Sequence, residues 1–385
     1  MLATILWIAV FAVFSTAQTC EEVIAGRYPR QYVAYRANHP PVMDGRLDEP
    51  FWEQVPFTST FVDISTNVTP HLTTRAKVRW NDEWLYVAGE LHEPAVWANI
   101  THTCHCFNPQ ENQVIFYDND FEVFVDADGT CQFYKEYEMN AANANWDLCL
   151  NRPYENGGYE NSTRVYGVHG FDMTPPLYSA ASSDGMLNDP ASRPTKWTVE
   201  IAFPLQKLIY NTTATLPLKN KQFWRINFSR VEWAVQVIDN RYFKYPSCQS
   251  CPVPGSNAED NWVWSPMHAI DMHHPEMWGF LQFSTDAPNS SSPIYNVEWP
   301  PRFVAHELYY AEQAYATAHD GKFTDNITAL VPFATFPVVF NGHCTASTVP
   351  HLETSAAQSQ FLATIAGVNF NVTINNDRFI RVHYA

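Results

Sequence analysis

The chain is short of positive charge: 23 lysines and arginines stand against 40 acidic residues, for a net charge of −17. Phosphate backbones and anionic membranes are repelled by that balance, so nucleic acid is not an expected partner. A membrane span is missing as well. After Phe14 no apolar run approaches the roughly 20 residues that a bilayer demands. Catalytic fingerprints are also absent, with no G-x-S-x-G elbow, no H-E-x-x-H, no P-loop and no dinucleotide-binding glycines. Internal repeats are lacking. Nucleophilic catalysis therefore finds no support.

What is present points to export. Leu2 to Phe14 is uncharged and apolar, and Ser15-Thr16-Ala17 supplies a small-residue cleavage pattern. Residues 1–17 read as a signal peptide cut near Gln18, although its start carries no lysine or arginine. Eight cysteines (Cys20, Cys104, Cys106, Cys131, Cys149, Cys248, Cys251 and Cys344) read as mostly disulfides whose pairing stays open. Eight sequons, at Asn67, Asn99, Asn161, Asn211, Asn227, Asn289, Asn326 and Asn371, fit a secreted glycoprotein.

Alternating apolar and polar residues mark strands. Ala76, Val78 and Trp80 alternate with Lys77 and Arg79, Asn81-Asp82-Glu83 turns the chain, and Leu85, Val87 and Leu91 continue the inward face. Phe121-Val123-Val125, Trp197-Val199-Ile201-Phe203, Trp224-Ile226-Phe228 and Gly279 to Phe283 give further strands, with Pro204 ending the second of these. Many short strands without βαβ spacing predict a sandwich. If Trp224, Ile226 and Phe228 face the core, Asn227 points outward, where a glycan has room. Residues 285–300 read as a linker. Val304, Leu308, Ala311, Tyr315 and Ala318 recur at helical spacing, Gly321 stops that helix, and Leu330 to Tyr384 reads as more strands.

Several ordered pieces carry a family likeness. They run from Val42-Met43-Asp44-Gly45 with Trp52, through Ala76 to Trp80 and Asp120 to Asp126, to Tyr137-Glu138-Met139-Asn140 and Asn145-Trp146-Asp147. Gly185 to Asp189, Trp197 to Pro204, Trp224 to Arg230, Asn261 to Pro266 and Trp278-Gly279 complete the series. Over residues 38–284 the chain resembles family 9-like carbohydrate-binding modules. The resemblance implies an all-β, jelly-roll-like β-sandwich, followed here by a small C-terminal helix-plus-strands appendage over 301–385. It also implies a polysaccharide or oligosaccharide partner, with calcium bound in some members, and an association with carbohydrate catabolism.

In that family a sugar sits between two aromatic rings, because pyranose C–H faces stack on rings while hydroxyls seek polar partners. Tyr117 and Glu122 match one ring and the strand glutamate; Glu138 stands where characterised modules have a cation; and the second ring is replaced by Met272, His273 and His274. Candidate ligand-binding residues are Tyr117, Glu122, Glu138, Asn140, Trp146 and Trp262. Trp97, Asn143, Asn145 and Arg230 are further polar or stacking candidates. Asp126 and Asp128, with Asp118 and Asp120 nearby, offer oxygens to calcium or form a plain acidic turn. His102-Thr103-Cys104-His105-Cys106 and Cys248-Gln249-Ser250-Cys251 read as disulfide-stapled loops rather than metal or redox sites. Trp80, Trp197, Trp224 and Trp278 are assigned to the core. Two other readings remain: a glycoside hydrolase acting on O-glycosyl bonds, and an extracellular structural or interaction protein that binds no sugar. The sequence leaves the oligomeric state open.

Overall fold

The computed structural model describes residues 18–101, 114–174, 177–245, 258–341, 344–345 and 349–385. The CxxC motif and the cluster from His102 to Cys106 lie outside them.

Among the described residues, fifteen strands precede the long C-terminal helix. They are β1 (Gln31–Arg36), β2 (Val62–Asp63), β3 (Thr74–Trp80), β4 (Trp84–His92), β5 (Asp120–Asp126), β6 (Tyr134–Asn140), β7 (Asn145–Leu150), β8 (Glu160–Asn161), β9 (Tyr178–Ser183), β10 (Lys196–Pro204), β11 (Phe223–Trp233), β12 (Val235–Ile238), β13 (Arg241–Lys244), β14 (Glu259–Val263) and β15 (Gly279–Ser284). Thirteen of them form one sheet in the order β8-β7-β6-β5-β11-β15-β1-β3-β4-β10-β9, with β14 and β2 branching from β11. Neighbours are antiparallel, except that β1 runs parallel to both β15 and β3. The expected hairpin pairs Trp80 with Leu85.

The sheet curls until its two ends face each other. Tyr137 of β6 meets Phe203 of β10 edge-on at 5.3 Å, although these strands are far apart in the sheet order. A Cβ built on Gly89 of β4 would come within 2.9 Å of the Phe121 ring of β5, so only glycine lets the two halves close this tightly. The inward residues of β3, β4 and β10 and those of β5, β6 and β11 share one apolar cluster, which includes Trp80, Trp197 and Trp224. The result is an all-β sandwich.

The outer face of β5, β6 and β11 is covered too. Phe124, Tyr134, Trp146, Leu148, Val263, Met267 and Trp278 pack a second apolar layer over it. This layer corrects one sequence expectation. Asn227 does point away from the main core, yet it is fully buried; its side chain donates to the Ser265 carbonyl at 2.9 Å and accepts from the Ser265 amide at 2.8 Å. Alternation separates the two faces of a strand but does not say whether the second face meets water.

Residues beyond 285 are bound to the sandwich as they pass. Tyr35 donates to the Ser291 carbonyl and Asn289 to that of Gln54. The helix Trp299–Ala318 follows, and Gly321, at φ +76°, donates back to the Ala316 carbonyl. The stretch from Ile327 to Asn341 is short helical turns, not strands. A four-stranded antiparallel sheet comes after it: β16 (His351–Thr354), β17 (Phe361–Ala366), β18 (Phe370–Asn375) and β19 (Ile380–Tyr384). The helix and this sheet bury a separate core of Phe303, Leu308, Ala363, Val372 and Ile380. Cys20 is disulfide-bonded to Cys344, whereas Cys131 and Cys149 are buried and unpaired.

Candidate functional site

The residues singled out on β5 and β6 do come together, but under cover. Register pairs Asp120 with Asn140 and Glu122 with Glu138. All four are buried, and carboxylate oxygens of Asp120, Glu122 and Glu138 lie within 4.8 Å of one another. Among the described residues no lysine or arginine pairs with them. Burial pushes the Glu122 carboxyl up to about 7, and burial with the neighbouring Glu122 charge raises Asp120, Glu136 and Glu138 further.

These groups brace the loops above them. Glu138 accepts from the amides of Ile115 and Phe116, both at 3.1 Å, and so fixes the single 3-10 turn that carries Tyr117. Asn140 donates to the Ile100 carbonyl and to Asp118, and it accepts from the amides of Ala142 and Ala144. Asp118 in turn holds the amides of Asn99 and Ile100. Side chains committed in this way do not meet a sugar hydroxyl directly. The cluster does not suit glycoside hydrolysis either. All three carboxylates are buried, whereas an acid and base flanking a glycosidic bond must line an open groove.

Of the expected stacking rings, Tyr117 is 57% exposed, whereas Trp146 and Trp262 are 5% and 2% exposed. Trp146 lies in the covering layer under Arg164, and Trp262 packs beneath the Arg230 guanidinium. Neither offers a face to a ligand. Arg230 is spent on Glu93 and Glu232 at 2.8 and 2.7 Å. Asp126 and Asp128 do not fit calcium. Asp126 accepts from the amides of Gly129 and Cys131 and Asp128 from Thr130 in the turn and from the distant Thr213, so every oxygen of the pair already accepts a hydrogen bond. The acidic-turn reading accounts for them.

Sequence reasoning overlooked Trp233 and Lys244. Trp233 ends β11, and its indole N–H donates to the Phe116 carbonyl at 2.8 Å, beside Tyr117. The Lys244 ammonium lies 3.7 Å from the Trp233 ring centre, 5.7 Å from Trp97 and 6.0 Å from Tyr117. Trp233 also walls a pocket of about 230 Å³ with Leu72, Pro94 and Val235 as its apolar surfaces. His71, Glu93, Glu232 and Asp260 add polar groups. The missed signal was Trp233 at the end of an alternating strand, where a ring passes from core to rim. A larger cleft of about 670 Å³ follows the seam between the sandwich and the C-terminal sheet, lined by Lys221, Arg225, Arg302, Arg381 and Tyr384 among others.

No family model matches the chain, and no curated protein matches it. Solved structures similar to it include a family 9 carbohydrate-binding module from Caldicellulosiruptor kristjanssonii in complex with cellotriose, at 14% identity over 69% of this chain and all of that one, with a TM-score of 0.37. The same kind of module with glucose covers 68% of this chain and all of its own, at 14% identity and a TM-score of 0.36. A Bacteroides uniformis protein proposed to bind carbohydrate covers 66% of this chain and all of its own, at 14% identity and a TM-score of 0.43.

Proposed function

We propose that this chain is a secreted saccharide-binding protein that holds one sugar ring in the Trp233 pocket, with Tyr117 as an outer platform. The pocket carries the proposal: an indole wall fixed by its own hydrogen bond, apolar sides, and His71 and Asp260 as polar edges, on a space smaller than the about 300–1,000 Å³ of drug-sized sites. A pyranose needs that combination of flat apolar surface and acceptors at its hydroxyl edge. Because Trp233 is already held by Phe116, Asn119 and Lys244, little order is lost on binding. The ordered sequence pieces from 38 to 284 favour the same reading and extend it to carbohydrate breakdown outside the cell.

A glycan array of soluble and insoluble polysaccharides, followed by calorimetry on the best ligand, tests it. Trp233→Ala is expected to weaken binding at least tenfold, about 1.4 kcal/mol, and Tyr117→Ala less. Binding that survives both substitutions places the sugar elsewhere. Failure to bind any glycan favours a sandwich serving as an interaction scaffold, a reading that the burial of Trp146 and Trp262 supports.

A further inference from the structure

Three metal-ligating side chains of different chemistry meet where the sandwich touches the C-terminal helix. Cys131 follows β5, Glu276 lies in the turn before β15, and His306 is on the helix Trp299–Ala318. All three are buried, and their ligand atoms lie within 4.8 Å of one another, with the Cys131 sulfur 3.8 Å from Glu276 Oε2. We propose that Cys131, Glu276 and His306 form a zinc site that clips this helix to the sandwich.

Three observations carry the assignment. A ring nitrogen of His306, Nδ1, is sealed from solvent without a hydrogen-bond partner, which is costly unless something satisfies it. Cys131 is unpaired in a chain read as exported, and its backbone is held at φ +62°, a region a residue with a Cβ rarely adopts, by the Asp126 carboxylate at 2.8 Å from its amide. The donor set is sulfur, imidazole nitrogen and carboxylate oxygen, which suits zinc and not calcium or magnesium, whose sites are built from oxygens.

The hydroxyl of Tyr310 donates to the second oxygen of Glu276 and orients the carboxylate. Three protein ligands leave a fourth position for water. With every ligand buried, no substrate reaches the ion, so its part is structural. The metal's binding free energy then adds to folding, because the three ligands belong to segments that separate on unfolding.

The full chain, secreted from eukaryotic cells without a metal-affinity tag, is dialysed against zinc, desalted and analysed for metal. About one equivalent of zinc is expected, as a mononuclear site requires. Cobalt exchange should give a thiolate-to-metal absorption band. A strong chelator should lower Tm by roughly 5 °C or more. Cys131→Ser and His306→Gln should each lose the metal and the response to chelator. Protein without zinc, a Tm that chelation leaves unchanged, or full zinc content in either variant overturns the site. The cobalt and chelation measurements use the unsubstituted chain and decide the matter even where a variant fails to fold.

Discussion

The Trp52 indole N–H donates to Glu200 Oε1 at 2.6 Å across 148 residues of chain, and both groups are buried. Glu200 Oε2 takes the amides of Asp44 and Gly45 at 3.0 and 2.8 Å, so one carboxylate on β10 fastens the connection between β1 and β2 at both of these points. Gly45 is required there: it sits at φ +80°, and a Cβ would come within 2.6 Å of the Ala181 backbone. Glu200→Gln puts an amide donor against donors and is expected to cost about 1–3 kcal/mol. Trp52→Phe should cost a comparable amount. The double variant should lose about 1 kcal/mol less than the sum, since the two changes remove the same bond. Chemical denaturation of all four proteins measures the coupling; strict additivity refutes it.

The buried carboxyls make stability depend on pH in a definite direction. Burial holds Glu122 and Asp147 at about 7, far above a free carboxyl near 4, and raises Glu138 further. The folded chain therefore keeps protons that the unfolded chain has released. The stability these groups contribute is complete below about pH 4 and is lost as pH rises through 7. Tm should fall from about pH 4 to 7, the span between the free and the buried carboxyl values; histidines titrate over part of the same span, and comparison with a variant lacking one carboxyl cancels them. Glu138→Gln retains an oxygen for the Ile115 and Phe116 amides and removes the proton. It should flatten that decline by up to about 1.4 kcal/mol per pH unit, the linkage of one proton. Melts of both proteins across this range provide the check, and parallel curves count against the argument.

How far the sequence could be read depended on what covered each strand. Strands such as β3, β4, β5, β10 and β11 were legible because Trp80, Val87, Phe121, Trp197 and Trp224 repeat at period two and end at turn residues. The parallel seating of β1 between β15 and β3 was not legible, since nothing local in Gln31–Arg36 specifies partners so distant in the chain. The site suffered from the second layer. Glu122, Glu138, Asn140 and Asn227 carry the polar half of the alternation, the usual sign of a wet face, but Phe124, Trp146 and Trp278 roof them over. The Trp233 pocket arises from β11, β14 and the loop after β4 together, a juxtaposition that no window of sequence contains.

Asn227 gives a test of that roof. The other seven sequon asparagines are exposed or half-buried, while Asn227 is enclosed and bound to both polar groups of Ser265. Glycan attachment there would demand opening of the second layer. Peptide mapping of the chain expressed through a eukaryotic secretory pathway should find Asn227 unmodified, whichever of the others carry glycans. Asn227→Ala should leave the glycoform mass pattern unchanged and lower stability by about 1–3 kcal/mol, because the Ser265 amide and carbonyl lose their partner in a dry site. A glycan recovered on Asn227 rejects the packing.

Arg230 governs both stability and the proposed pocket. Its guanidinium, fully buried, bonds Glu93 and Glu232 and also donates to Thr74 and the His92 carbonyl. Arg230→Met would strand two buried carboxylates that also wall the Trp233 pocket, so it should cost about 3–5 kcal/mol. Adding Glu93→Gln and Glu232→Gln removes the stranded charges and should recover at least half of that loss. The recovered triple variant keeps the pocket's shape while removing both Arg230-bound carboxyl groups from its wall. If a sugar hydroxyl edge rests on those carboxylates, the triple variant folds and binds weakly; if it binds as well as the parent chain, the acceptors lie elsewhere on the rim. Denaturation and calorimetry on the same preparation separate the two effects, because the first reads the charge balance and the second reads the ligand.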